Sequence, residues 1–165
     1  MEALITSIRD RVETIGLFNY INIWNNQVSR MNNNTENPIN NPSCFIELQT
    51  NNELQLPCEY QGYDIDVVFH IVQDELNTFD TFGMDSQISI YKLRDELVKS
   101  FSLFRPFQGG FMTKISESQD RNHTNLYHYT ITYRFHYIEK IEREVISGTI
   151  SQIIIIPDIE DNLNV

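Results

Sequence analysis

Residues 127 to 137 read YHYTITYRFHY, with Tyr127, Tyr129, Ile131, Tyr133, Phe135 and Tyr137 on one side and His128, Thr130, Thr132, Arg134 and His136 on the other. A period of two sustained over this length is the pattern of a long, half-buried β-strand. The stretch YDIDVVFHIV repeats it, with Tyr63, Ile65, Val67, Phe69 and Ile71 alternating against polar positions. Two long amphipathic strands separated by one helical segment predict a chain built around an antiparallel sheet.

Working outward, Glu2 to Ile15 spaces Leu4, Ile5, Ile8, Val12 and Ile15 by three and four residues, ahead of Gly16. That is an amphipathic helix with a C-terminal stop. A short strand is expected from Phe18 to Trp24, and a surface loop over Arg30 to Pro42, RMNNNTENPINNP, whose asparagines and prolines offer no apolar face. Ser43 to Gln49 alternates as a strand, the polar TNNE that follows reads as a turn, and the strand from Tyr60 to Gln73 pairs back antiparallel. After a loop holding Phe79, Phe82 and Gly83, Asp85 or Ser86 caps a second helix with the stripe Ile90, Leu93, Leu97, Phe101 and Phe104, and Pro106 stops it. A strand from Met112 to Ser118 and the tyrosine-rich strand complete the order. The expected fold is α+β: an antiparallel sheet of four to five strands, two α-helices packed on one face, and a C-terminal β-arm. The domain is expected to span residues 1–139, and residues 140–165 to form an extension in which Ile153, Ile154, Ile155 and Ile156 precede an acidic tail. So strongly β-prone a segment has to be covered, by its own sheet edge or by that of a neighbouring subunit.

The 23 acidic residues outnumber the 12 basic ones and give a formal net charge of −11, which opposes tight binding to phosphate backbones and anionic lipid. It also disfavours base stacking on the tyrosine row, which is expected to be core. No apolar run approaches the roughly 20 residues that span a bilayer, and the start MEALITSIRD lacks a secretory pattern, so a reducing cytoplasmic setting is expected. Cys44 reads as a small core residue, and no disulfide with Cys58 is expected.

No phosphate loop, paired-cysteine metal motif, nucleophile elbow or helical histidine pair is present, so neither a catalytic residue nor a cofactor can be named and a non-enzymatic role is expected. One constellation remains: His70, His128 and His136 on the polar faces of the two long strands, with Asp64 and Asp66 beside His70. In the right register they would make a metal- or small-ligand-binding module. The plainer expectation is that all five face solvent. The charged run Glu139, Lys140, Glu142, Arg143 and Glu144 reads as a solvated surface, and Arg105, Arg121 and Arg134 as cations that pair with nearby carboxylates or with an adjacent subunit.

The succession ALITSIRDRVETI, NYINIWNNQV, PSCFIEL, YDIDVVFHIVQD, KLRDELVKSF and YTITYRFHYIE, from Ala3 to Glu139, resembles the tail terminator proteins of long-tailed bacteriophages and their head-to-tail joining relatives. The resemblance implies a virion protein, assembled in the bacterial cytoplasm, whose copies form a ring, usually a hexamer, between the tail tube protein and the connector or neck proteins. DNA passes through such a ring without specific binding. No catalytic or metal-binding residues carry over. The expected contacts with neighbouring subunits are Asn32, Asn33 and Asn34 in the loop Met31 to Asn41, Phe79 and Phe82 in the loop Asp74 to Gly83, and Ile153, Ile154, Ile155 and Ile156 in the arm. The segment from Lys140 onward has no counterpart in that pattern.

Overall fold

The tyrosine-rich strand is the spine of the molecule, paired over residues 126–140 on one side and over residues 128–134 on the other. In the computed structural model, which describes residues 1–28, 40–56, 60–74, 82–120 and 126–140, the elements are α1 (Glu2–Glu13), β1 (Tyr20–Ile23), β2 (Ser43–Gln55), β3 (Tyr60–Asp74), α2 (Phe82–Phe101), β4 (Thr113–Asp120) and β5 (Leu126–Lys140). The fold is α+β, a five-stranded sheet in the order β1-β2-β3-β5-β4 with two helices.

The alternation in β3 and β5 becomes a two-sided sheet because the strands pair antiparallel in register, Ile65 opposite Phe135, Val67 opposite Tyr133 and Phe69 opposite Ile131. Their apolar faces join Cys44 and Ile46 of β2, Leu4, Ile8 and Val12 of α1, and Ile90, Leu93, Leu97 and Phe101 of α2 in one buried cluster. Packing on the helices explains why so many tyrosines occur in one strand: their rings fill the space between a sheet and two helices. Phe69 lies 4.6 Å from Phe101, centroid to centroid, and Tyr133 joins both rings. Arg11 ties the helices together by donating from Nε and Nη2 to the Ser100 carbonyl at 3.1 and 2.9 Å. A cation at the carbonyl end of α2 is also favoured by the helix dipole.

Four features differ from the sequence expectation. The expected turn TNNE is strand: β2 runs to Gln55, and only Asn52 is extra, a bulge between the pairs Asn51–Asp64 and Glu53–Tyr63. The long partner β3 supplies hydrogen-bond sites that outweigh the poor strand propensity of asparagine. β1 pairs parallel to β2, Tyr20 beside Ser43 and Ile23 beside Ile46, so the sheet is mixed rather than wholly antiparallel. The connection between them returns the chain to the end at which β1 began, and this makes the pairing parallel. α2 begins at Phe82 instead of at Asp85 or Ser86, and ends at Phe101, before Pro106. Finally β5 runs through Lys140, which sits opposite Tyr60, past the tyrosine-rich run that ends at Tyr137.

A second, smaller cluster lies on the other side of the sheet. Val28, Phe45, Val72 and Leu126 are buried together there, with Trp24 packed against them. The segment after β1 thus crosses the face that the alternation alone assigns to solvent.

Candidate functional site

On that outer face four adjacent strands contribute one diagonal row of ionisable side chains. Glu47 comes from β2, His70 from β3, His128 from β5 and Asp120 from β4. Glu47 Oε2 is 3.0 Å from His70 Nε2, His70 Nδ1 is 2.9 Å from His128 Nε2, and His128 Nδ1 is 3.5 Å from Asp120 Oδ2. The indole of Trp24 lies flat on His70, with centroids 3.8 Å apart and planes 4° from parallel, and extends over His128 at 5.6 Å. Burial pushes the His70 pKa below the ordinary histidine range, and the Glu47 carboxylate opposes this by hydrogen bond and charge.

The expectation that these histidines face solvent is overturned. His70 is 7% and His128 6% exposed, because Trp24 and the apolar residues around Phe45 cover them. The full constellation also does not converge. Asp66 is held by Arg134, and its carboxyl sits below the ordinary aspartate range chiefly because of that guanidinium's hydrogen bonds. His136, at the exposed end of the face, pairs with Asp64. Among the described residues no group of three or more His, Cys, Asp and Glu side chains comes together as a metal ion would require.

The sequence reading missed two members of the row, Glu47 and Asp120, and the Trp24 ring that covers it. Glu47 shares a strand face with Phe45, the polar face that His70 also occupies, which was a usable signal; Asp120 falls beyond the expected strand end at Ser118, and Trp24 closes the expected short strand with nothing in its spacing to say which face it covers. Cys44 is buried, and burial raises its thiol pKa far above the ordinary range, which makes it unreactive; Cys58 lies outside the described residues.

Of the expected contact residues, Asn32, Asn33, Asn34, Phe79 and the isoleucines 153–156 lie outside the described residues, and Phe82 is the first residue of α2. Arg105 donates from Nε to the Gly109 carbonyl at 2.8 Å, an intramolecular role, and Arg121 lies outside the described residues.

A different apolar surface stands out. The connection from α2 to β4 carries three large side chains directed at solvent, Leu103 at 78% exposure, Phe107 at 50% and Phe111 at 63%. The connection itself is anchored: the Gly110 amide donates to the His136 carbonyl at 2.7 Å, Met112 to Phe104 at 2.9 Å, and the Phe107 amide to Ser7 Oγ at 3.3 Å. Leu103 holds a left-handed backbone conformation, φ +60°, which is uncommon for a side chain of its bulk.

No helix among the described residues is long and apolar enough to cross a membrane. No protein-family model matches the chain, and no curated protein sequence matches it.

Proposed function

We propose that the protein is a structural subunit that works by assembling with copies of itself and with neighbouring virion proteins, as a ring joining the tail tube of a long-tailed phage to its head-tail connector. The observation that supports an assembly role best is the Leu103–Phe111 connection. A leucine at positive φ, largely exposed and followed within the same anchored connection by two exposed phenylalanines, costs an isolated monomer backbone strain and hydrated apolar surface. A partner that covers these side chains gives the arrangement a purpose. The order of elements that resembles tail terminators, and an acidic balance that would let DNA pass without adhering, support the phage setting.

The test is the solution mass of the full chain and of a chain ending at Lys140, by light scattering coupled to size exclusion, alone and with a tail tube protein. The cut belongs after Lys140 because that residue still pairs with Tyr60. A closed oligomer, or a complex with tail tube protein, is expected for the full chain. A full chain that stays monomeric and binds no tail tube protein overturns the reading.

A further inference from the structure

We propose that His70 and His128 form an acid-sensitive latch that holds the segment from Trp24 to Val28 against the outer face of the sheet. The ring planes differ by 16° and the centroids are 5.2 Å apart, while the nearest nitrogens are only 2.9 Å apart. The rings therefore meet nearly end to end, with one nitrogen donating to the other. That contact accommodates one proton and no more.

The outer nitrogens of the pair each face a carboxylate, Glu47 on β2 and Asp120 on β4. Among the described residues, the nearest other neighbours on this face are uncharged: Val68 and Val72 lie on either side of His70 along β3, Thr130 follows His128 on β5, and Trp24 covers the pair. Farther along β3, Asp66 is neutralised by Arg134, and Asp74 Oδ1 accepts a hydrogen bond from Asn41. Two flanking carboxylates favour a first extra proton on the pair, giving one imidazolium that still donates across the shared contact. A second extra proton places N–H against N–H at the same point, and the contact is lost. Stacking on Trp24 can favour a single cation but supplies no acceptor for the displaced N–H. Burial of His70 disfavours its charged form as well.

Opening is transmitted to the chain through Trp24. Its ring lies on His70 and edge-on to Phe45, and its amide donates to the Ile46 carbonyl at 2.9 Å. If the histidines separate, the indole loses its platform and the residues up to the buried Val28 lose their anchor on the sheet. The latch is closed at neutral pH and released by acid, the direction expected for a buried histidine that must charge.

Trp24 is the chain's single tryptophan, so its emission reports on the latch directly. The experiment titrates the full-length protein from about pH 8 to about pH 5, the range in which histidines charge, following Trp24 emission and the hydrogen exchange of the Trp24, Val67 and Tyr133 amides. Trp24 is expected to change emission and lose amide protection on acidification while Val67 and Tyr133, in the sheet centre, keep theirs. In His128→Gln, where the pair can no longer hold two charges, the loss at Trp24 is expected to disappear. The proposal is overturned if Trp24 keeps its protection throughout, if protection is lost at all three amides together, or if His128→Gln titrates like the wild type. Should that variant not fold, the wild-type comparison of the three amides decides alone.

Discussion

Arg134 on β5 holds Asp66 on β3 in a two-pronged pair directly across the strands, Nε to Oδ1 at 2.7 Å and Nη2 to Oδ2 at 2.8 Å. The arrangement is lopsided, since the carboxylate is nearly buried whereas the guanidinium is about half exposed. Removing the cation would strand an acid among the sheet strands; removing the acid would leave an arginine that water can solvate. Arg134→Ala is therefore expected to lower the melting temperature more than Asp66→Asn. Equal losses would mean that the pair is no more than a surface contact.

The same pair gives a signed pH dependence. Because the folded-state pKa of Asp66 is depressed, the unfolded chain binds a proton first as pH falls. The stability contributed is present above the ordinary aspartate pKa of about 4 and is lost as pH drops through the folded value. Urea unfolding of wild type and Asp66→Asn should thus converge below about pH 4. A difference unchanged down to the lowest accessible pH would remove Asp66 as its source.

Within the core, Phe101 is fully buried and touches the rings of Phe69, Phe104 and Tyr133. Phe101→Ala should cost about 3–5 kcal/mol, from lost transfer energy plus the cavity left behind. A loss below about 1 kcal/mol in denaturant unfolding would contradict this packing, since only a surface-like site is so tolerant.

Gly109 is constrained by space. A Cβ there would lie 2.8 Å from Phe135 Cδ2 and 2.8 Å from Pro106 Cγ. Both neighbours are buried rings, so neither can swing away cheaply. Gly109→Ala is expected to destabilise by about 1–3 kcal/mol, as overpacking does. A neutral result would show that the connection can lift from β5 despite the Gly109–Tyr137 bridge.

The inner face of the sheet was legible because period two in β3 and β5 and the three-and-four spacing in α1 and α2 are properties of single segments. The pairing of His70 with His128 was not. Their register depends on two strands more than fifty residues apart, and their burial depends on Trp24, which arrives from a third segment. Alternation gives a face but not what covers it. The length of β2 was hidden for a related reason: Asn51 and Asn52 are poor strand formers that are held in place by β3. The exposed connection was missed because Leu103, Phe107 and Phe111 lie around the helix stop at Pro106, where no period tells which apolar side chains find cover and which stay in water.

That connection offers the sharpest mutational separation of folding from assembly. Leu103 occupies the left-handed region with most of its side chain in water, so Leu103→Asn replaces a strained, hydrated leucine by a residue that tolerates the conformation. Alone it should leave the subunit as stable or raise its stability by up to about 1 kcal/mol, the lower range of the left-handed penalty. Combined with Phe107→Ser and Phe111→Ser, it removes the exposed apolar surface while leaving the anchoring Gly110 and Met112 amides untouched. The triple variant is expected to keep the wild-type melting temperature within a few degrees, because exposed side chains contribute little to folding, and to lose self-association in light scattering. If it melts much earlier, these side chains belong to the subunit's own packing. If it folds normally and assembles as well as the wild type, the connection is not the contact, and the assembly surface must be sought elsewhere on the chain.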